Sequence, residues 1–322
     1  MAISASDILK IVATEDDFGH EMRVGAAIRQ IRNIDVQHGG TYTDPVTGKP
    51  RQFDYRCSLT KVTRTQRLSI PAEGYTGSEA WEPDNRTTRM LLAVECKNLN
   101  PSFPLVVCGA SREEGEAFQD LIYSVGHRIV DHQPYGPHSQ ACRAKKRQSF
   151  YLQEEFVGKN FLRLKPKDSR SAVAVAAPDS DIYERWAQAL SSAVDLADAA
   201  FDYAPAREII WSAVLPAVVV PDESLWRAAY QNDGKMATDP EKVGQCEYYV
   251  GHTIRLRSPP EERSFTFSHI HFFTLRGFAS FLSKMAVNDH AWDRLFDPGL
   301  LRFGPGDVHR GTKDHPEPYS ML

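Results

Sequence analysis

The first regular pattern of apolar residues along the chain, within residues 14–33, has the period of a helix. Val24, Ile28 and Ile31 are three or four residues apart and follow several acidic and capping residues, which predicts an amphipathic helix. Glu21 lies on the same stripe, one turn before Val24. This helix therefore brings an acidic side chain to the face that is expected to pack on the rest of the fold.

An alternating pattern at residues 51–62 predicts a strand with one polar face. Every second residue from Phe53 to Leu59 is apolar, and Asp54 lies among the polar residues between them. The preceding stretch HGGTYTDPVTGKP, residues 38–50, is rich in turn-forming dipeptides. We expect that stretch to be a loop between the helix and the strand.

A continuous apolar run, MLLAV at residues 90–94, predicts a strand that is covered on both faces. The strand, expected over residues 89–97, ends with Glu95 and Lys97. Side chains two positions apart in a strand point to the same side, so these two charges are expected on one face. The polar residues 64–88 predict an insertion before this strand.

The next two segments complete the order helix, strand, strand, strand, helix. The apolar stretch LVVCGA, residues 105–110, predicts another strand, and residues 112–126 predict a helix. The chain has neither GxGxxG nor GxxxxGK[ST], which argues against a Rossmann fold or a P-loop. The expected fold class is α/β, with a mixed central sheet flanked by helices.

The second half of the chain has a helix, then several strands, then another helix. The helical period is strong over residues 181–201, and a second helix is expected at 277–287. Strands are predicted at the following stretches: 215–222, 224–230, 246–256 and 263–275. Residues 1–178 are therefore expected to form the first domain. Residues 179–322 are an α+β region that is either a separate domain or an extension of the first sheet, and an irregular tail is expected at 298–322.

The composition is that of a globular protein. Hydrophobic residues are 42% of the 322 residues, charged residues are 25% and the net charge is -4, which excludes disorder and a fibre and argues against a wholly basic surface. The five cysteines are odd in number and lack CxxC spacing, so neither a disulfide framework nor a structural zinc site is expected. With no secretory leader and no long apolar run, a soluble cytoplasmic protein without membrane contact is expected.

Three charged residues could form a chemical site if the two predicted strands pair. Asp54 would then lie opposite Glu95 and Lys97. Carboxylates that converge repel each other, and a hard divalent cation such as Mg²⁺ relieves that repulsion. A lysine beside the cation can orient a water molecule or stabilise charge on a phosphate.

These residues, taken in order, resemble a known family. Glu21 in a helix, Asp54 in a strand and Glu95-Cys96-Lys97 at the end of the next apolar strand resemble the PD-(D/E)xK nuclease superfamily, with its restriction-endonuclease-like core. The resemblance implies that Asp54 and Glu95 bind Mg²⁺, or alternatively Mn²⁺, together with the carbonyl of Cys96. It further implies that Lys97 is the catalytic lysine and that Glu21 is an accessory acidic residue.

The resemblance covers roughly residues 15–126 and departs from the pattern at the first carboxylate. Asp54 is far from Glu95 in the sequence and follows no proline. Asp84, which follows Pro83, is the alternative second carboxylate. Asp54 is preferred because it lies within a strand pattern, whereas Asp84 lies in a loop-like stretch.

The function that the resemblance implies is metal-dependent hydrolysis of phosphodiester bonds in DNA. In a bacterial protein it also implies restriction or anti-phage defence, in which a partner protein or a homo-oligomer could take part. Contact with the DNA backbone is expected from basic residues of the first helix and of a later run: Arg29, Arg32, Arg143, Lys145, Lys146 and Arg147. For the later run, a solvated loop is the first interpretation and DNA contact the second.

Two other hypotheses stay open. In one, the chain keeps the fold but is inactive, and binds nucleic acid or a partner protein within a larger complex. In the other, Glu95 and Lys97 form an ion pair at an exposed strand end while Asp54 pairs with Arg51 or Arg56.

The stretch SHIHFF carries a further pair of metal-binding residue types. His269 and His271 alternate with apolar residues, so both imidazoles are expected on one side of a strand. No third ligand is evident nearby, so we favour a polar strand face over a metal site.

Overall fold

The computed structural model of the chain describes the following residues: 3–9, 18–45, 47–64, 85–126, 128–130, 133–135, 138–144, 155–166, 174–176, 179–202, 208–258 and 261–296. Apart from a short helical segment at residues 5–9, the helices are α1 (Phe18–Arg29), α2 (Asp179–Asp202), α3 (Leu275–Val287) and α4 (Asp289–Leu295), and a 3₁₀ turn spans Glu114–Glu116. The strands are β1 (Ile34–Thr43), β2 (Pro50–Arg64), β3 (Asn85–Cys96), β4 (Leu105–Ser111), β5 (Gln119–Val125), β6 (Arg128–Val130), β7 (Gln133–Tyr135), β8 (His138–Ala144), β9 (Phe156–Pro166), β10 (Ala174–Ala176), β11 (Glu208–Val220), β12 (Leu225–Ala229), β13 (Glu241–Lys242), β14 (Gln245–Ser258) and β15 (Glu261–Thr274).

One large mixed sheet contains strands from both halves of the chain. Its strand order is β1-β2-β3-β11-β15-β14-β9-β4-β12-β13, with β5 and β8 attached through β11, and β10 attached through β9. β11 runs parallel to β3 over residues 208–219 and parallel to β15 over residues 217–220. The strand that follows α2 therefore lies between a strand of residues 1–178 and a strand of residues 179–322.

The helices cover the two faces of this sheet. Val24 of α1, Phe278 of α3 and Trp292 of α4 pack with β2, β3 and β11 in one apolar cluster. Trp186 and Phe201 of α2 belong to a second cluster, with residues of β4, β14 and β15. Because a sheet with apolar residues on both faces needs cover on both sides, this arrangement is the layered architecture of an α/β protein. The expected α/β class is confirmed.

The local periodicity predicted several elements correctly. The alternating apolar residues from Phe53 to Leu59 are buried along β2. The helices predicted at 181–201 and 277–287 correspond to α2 and α3. β3 begins at Asn85, four residues before the predicted start, because it continues to pair with the long strand β2 up to Arg64 opposite Asn85.

The loop predicted at residues 38–50 is partly wrong, because residues 34–43 form β1. β1 pairs with β2 from Ile34 opposite Leu59 to Thr43 opposite Pro50. The turn signals mark only the tight connection that follows, where the amide of Asp44 donates to the carbonyl of Lys49. Pairing with a neighbouring strand supplies backbone hydrogen bonds that the composition of the segment does not reveal.

The helix predicted at residues 112–126 is also wrong. After the 3₁₀ turn the chain forms β5, in which Leu121, Ile122 and Tyr123 are buried. β5 pairs with β8 and with the start of β11, and neither partner lies within residues 112–126. A short run of apolar residues fits a helix or a strand equally well, and these long-range partners decide the outcome.

No helix in the described part of the chain is long and apolar enough to cross a membrane. The tail at 298–322 lies outside the described residues.

Candidate functional site

The predicted site lies where three parallel strands end. Cys96 of β3 is opposite Val219 of β11, and Val220 is opposite Thr274 of β15, so the carboxyl ends of these strands share one edge of the sheet. The amide of Lys97 continues the ladder beyond β3 by donating to the carbonyl of Val219 at 2.9 Å. The residues that follow the buried apolar run are therefore held by the backbone of the neighbouring strand.

Glu95 and Lys97 lie side by side, as their spacing predicted. The ammonium Nζ of Lys97 donates to Oε1 of Glu95 at 2.5 Å. The side chain of Glu95 is 3% exposed and that of Lys97 is 13% exposed. The pair is thus buried, and not the exposed strand-end ion pair of the alternative hypothesis. Removing two charges from water costs free energy that their mutual attraction repays only in part. A pair that served stability alone would cost less at the surface.

Asp54 reaches the same strand end from β2. Tyr55 is opposite Val94 in the antiparallel ladder, so Asp54 is the next residue toward Glu95. Its Oδ2 accepts a hydrogen bond from the amide of Cys96 at 2.6 Å. This bond fixes the carboxylate against the backbone segment that carries Glu95.

The two arginines considered as partners of Asp54 have carboxylate partners elsewhere. Arg51 contacts Asp44 at 2.5 Å, and Arg56 contacts Asp195 of α2 at 2.8 Å. Arg56 thereby connects β2 to α2 close to Asp54. The alternative second carboxylate, Asp84, lies outside the described residues.

The charges of the four predicted residues all act on the thiol of Cys96. Burial raises the pKa of Cys96 well above its usual range, and the nearby carboxylates of Asp54, Glu21 and Glu95 raise it further. Lys97 acts in the opposite direction. The structure therefore brings the helix residue, the residue of β2 and the two charges at the end of β3 into one electrostatic neighbourhood.

Glu21 approaches this neighbourhood from α1 with a histidine attached. Oε1 of Glu21 accepts from Nε2 of His38 at 2.6 Å, and the ring of His38 stacks on Tyr55 with centroids 4.6 Å apart. Burial raises the pKa of Tyr55 to about 12, so its hydroxyl stays protonated and donates to the backbone oxygen of Glu21 at 3.0 Å. His38 is not among the predicted site residues, because it lies in the stretch predicted to be a loop.

His20, the residue before Glu21, also faces the strand end. Its side chain is 1% exposed, and Nε2 lies 3.1 Å from the carbonyl oxygen of Val219. That oxygen is the one that accepts from the amide of Lys97. The apolar stripe of the helix gave the only sequence signal, since His20 is one turn before Val24.

Tyr42 of β1 was missed as well. It is 6% exposed, and its hydroxyl donates to the backbone oxygen of Gln188 in α2 at 3.3 Å. Burial raises the pKa of Tyr42, and the charges of Asp44 and Glu95 raise it further. Tyr42 therefore lies near the buried carboxylate of the site, beneath α2.

The oxygen atoms at the strand end suit a hard cation chemically. Asp54 and Glu95 supply carboxylates and Cys96 a carbonyl, and Mg²⁺ prefers oxygen ligands of these kinds. Within the described ranges, no group of three or more His, Cys, Asp and Glu side chains lies close enough together to hold a metal ion. A cation here would therefore depend on the carbonyl and on water for the rest of its coordination.

The expected DNA-contact residues are described only in part. Arg29 and Arg32 are exposed at the end of α1 and just beyond it. Arg143 belongs to β8, so the basic run begins within a strand and not in the predicted loop, although its side chain lies outside the described part. Lys145, Lys146 and Arg147 lie wholly outside the described residues.

A second buried polar group surrounds His269 and His271. Arg112 donates to Oε2 of Glu247 at 2.7 Å and to Nε2 of His269 at 2.6 Å. Because an arginine only donates, Nε2 of His269 must accept, which places its proton on Nδ1, 2.8 Å from the hydroxyl of Ser268. The strand face is polar as expected, but it is buried, and it is occupied by an arginine cation.

No protein-family model, no curated protein and no solved structure matches the chain.

Proposed function

We propose that the protein is a metal-dependent nuclease that hydrolyses phosphodiester bonds in DNA. One observation carries the proposal: two carboxylates and an ammonium meet at a single strand end, where Asp54 is bonded to the amide of Cys96 and Lys97 is bonded to Glu95. The sequence order of these residues resembles the PD-(D/E)xK superfamily. A restriction or anti-phage role, with a partner protein or a second copy, is part of the same proposal.

The order of the surrounding elements agrees with the resemblance only in its first part. The resemblance implies helix, three strands and a helix; the chain has α1, β1, β2 and β3, but the seven strands β4 to β10 then precede α2. The elements also differ from those predicted. β1 precedes the strand of Asp54, and the closing helix comes only at residues 179–202. The strand after that helix, β11, lies parallel to β3 and its carbonyl of Val219 binds the amide of Lys97.

In this proposal the carboxylates of Asp54 and Glu95 and the carbonyl of Cys96 would hold Mg²⁺, which would supply a Lewis acid for the phosphodiester. Lys97 has three N–H donors, one of which binds Glu95. A second donor can orient the attacking water or stabilise the negative charge that develops on the phosphate. Burial of Glu95 excludes bulk water and strengthens each of these interactions.

The test is cleavage of supercoiled plasmid, linear single-stranded DNA and RNA by the purified full chain in Mg²⁺, in Mn²⁺ or in EDTA. Cleavage of DNA is expected with either metal and none with EDTA. Glu95→Gln and Lys97→Met should each lower the rate by at least about 100-fold, a loss typical for one group that stabilises transition-state charge.

Matched controls distinguish the effect of a substitution in the site from the effect of losing the same charge elsewhere. Glu223→Gln removes a carboxylate that pairs with Lys242 on the surface, and Lys61→Met removes an ammonium that pairs with Asp289. Both controls should cut as the unmodified protein does. Unchanged cleavage by Lys97→Met would contradict the proposed role of this lysine, and cleavage in EDTA would contradict the role of the metal.

A second candidate is an inactive module of the same fold that binds nucleic acid or a partner protein. The observation that favours it is that the charges already have partners within the protein: Lys97 on Glu95, the amide of Cys96 on Asp54, and His38 on Glu21. Such a module would bind DNA with an affinity that falls steeply with salt concentration. It would cut none of the three substrates under any metal condition.

A further inference from the structure

The carbonyl oxygen of Val219 receives two donors from different parts of the fold. The amide of Lys97 lies 2.9 Å away and Nε2 of His20 lies 3.1 Å away. A carbonyl has two lone pairs and only accepts, so Nε2 of His20 must carry a proton. The helix α1 and the first residue after β3 are therefore joined at one atom of β11.

Lys97 is held by its backbone at the place where the strand ladder stops. Its amide binds Val219, and its carbonyl accepts from the amide of Leu99 at 3.0 Å. These two bonds fix the backbone of Lys97, from which its side chain reaches Glu95. A shift of the Val219 carbonyl would move the ammonium of Lys97 relative to the carboxylate.

The geometry points to His20 as a positioning residue that fixes the Val219 carbonyl and, through it, the ammonium of Lys97. This inference rests on the proposed function, since it gives the fixed lysine a catalytic purpose. His20 is 1% exposed and approaches the Val219 carbonyl from α1, whereas Lys97 approaches it from the end of β3. His20 therefore binds the lone pair of this oxygen that the strand ladder does not use.

A neighbouring bond of the same kind offers a matched control. The hydroxyl of Tyr55 donates to the backbone oxygen of Glu21 at 3.0 Å, one residue after His20. Both bonds anchor α1 to the sheet, but the Tyr55 bond ends on the helix itself and does not involve Val219. Tyr55→Phe therefore weakens the helix anchor while it leaves the support of Lys97 in place.

The experiment compares four variants of the full chain. His20→Leu removes the donor, and His20→Gln places an amide N–H near the position of Nε2. His20→Asn keeps a polar side chain that is too short, and it replaces His20→Leu if that variant does not fold. Kinetics on plasmid DNA with Mg²⁺ should show kcat about 10-fold or more lower in His20→Leu, with KM changed less than about threefold. A misplacement of about 1 Å can lower the rate by about 100-fold, and a smaller shift has a smaller effect. His20→Gln and Tyr55→Phe should stay within about threefold of the unmodified kcat.

A second measurement does not require activity. Competitive acetylation by acetic anhydride at a single pH, with free lysine derivative as the internal standard, gives the relative reaction rate of Lys97 by mass spectrometry. Lys97 is 13% exposed and bound to Glu95, so it should react slowly, and His20→Leu should accelerate it severalfold while His20→Gln and Tyr55→Phe do not.

The outcomes separate the two proposals. An unchanged acetylation rate in His20→Leu, or an equal acceleration in Tyr55→Phe, would overturn the positioning role of His20 whatever the activity. A selective acceleration in His20→Leu, together with absence of cleavage by the unmodified protein, would support the positioning role and refute the nuclease function.

Discussion

Removing the ammonium of Lys97 should destabilise the fold strongly, because the buried carboxylate of Glu95 loses a charged partner. Glu95 is 3% exposed, and the ammonium lies 2.5 Å from its Oε1. Breaking a buried ion pair by removing one partner costs about 3–5 kcal/mol. Lys97→Met keeps an unbranched side chain as far as Cε and removes the ammonium group, so this cost should appear with little change in packing.

Removing the charge of Glu95 instead, or removing both charges together, should lower the free energy of unfolding by less than Lys97→Met does. Glu95→Gln keeps a hydrogen-bond acceptor, and the flexible stem of Lys97 can bring the ammonium toward water, so the expected cost is about 1–2 kcal/mol. Glu95→Gln with Lys97→Met replaces both charges by neutral groups of similar size, which is nearly neutral in other buried pairs. The double-substitution cycle should therefore give a coupling free energy of about 4–7 kcal/mol, the sum of the two single costs.

A divalent cation should restore part of the lost stability in Lys97→Met. A cation that binds the carboxylate of Glu95 replaces the missing positive charge, and at 100 times its dissociation constant it adds about 2.7 kcal/mol to the free energy of unfolding. The increase should be absent in Glu95→Gln, which lacks the charged ligand. Asp54→Asn should show an intermediate increase.

The assay is urea unfolding followed by fluorescence and by circular dichroism, with and without 10-fold steps of Mg²⁺ concentration. The free energy of unfolding comes from the midpoint and the slope of each transition. Lys61→Met is the control, since its partner Asp289 is 90% exposed and little change is expected. Equal stability of Lys97→Met and the unmodified protein would refute the buried ion pair, and equal stabilisation of Glu95→Gln by Mg²⁺ would refute a cation site at Glu95.

Three further predictions concern the rest of the fold. Burial, assisted by the charge of Arg112, lowers the pKa of His271 to about 3, whereas in the unfolded chain the imidazole binds a proton below about pH 6.5. Between these two pH values the unfolded state binds more protons than the folded state, so the free energy of unfolding is highest above about pH 6.5 and falls by roughly 1 kcal/mol per pH unit below it. His271→Phe should flatten this pH dependence in urea unfolding at pH 7, 6 and 5. An unchanged slope would contradict the assignment. Gly277→Ala should lower the free energy of unfolding by about 1–3 kcal/mol, because a Cβ there would overlap the backbone oxygen of Gly244, whereas alanine at an open glycine such as Gly115 should be tolerated. Cys96, which is 1% exposed and has a raised pKa, should react with a thiol-specific disulfide reagent at pH 8 only after denaturation, and rapid reaction in the native state would contradict its buried position.

The charges of the site show how far local sequence reasoning extends. Glu95 and Lys97 could be placed together because a strand has a period of two, and the apolar run before them identified the strand. Asp54 could be placed near them because β2 and β3 are consecutive strands, which often pair. His20 and His38 could not be placed, since each depends on where a helix or an edge strand meets the end of β3.

The two incorrect elements have the same physical origin. Residues 38–43 contain glycines and turn-forming residues, and only the ladder with β2 makes them a strand. Residues 119–125 are apolar enough for a helix or a strand, and their pairing with β11 selects the strand. In both cases the deciding hydrogen bonds come from partner strands that lie outside the segment itself.

The sequence by itself determined the periods of apolar residues, and with them the helices α1, α2 and α3, the strands β2 and β3, and the α/β class. A helix or a strand places side chains at a fixed spacing on one face, so the local sequence is enough to identify the apolar face. Only the tertiary structure decided that β11, about 120 residues after β3, lies parallel to it and supplies the Val219 carbonyl to Lys97. That choice depends on burying both faces of one sheet at once, and the free energy of such burial belongs to the whole fold and to no single segment.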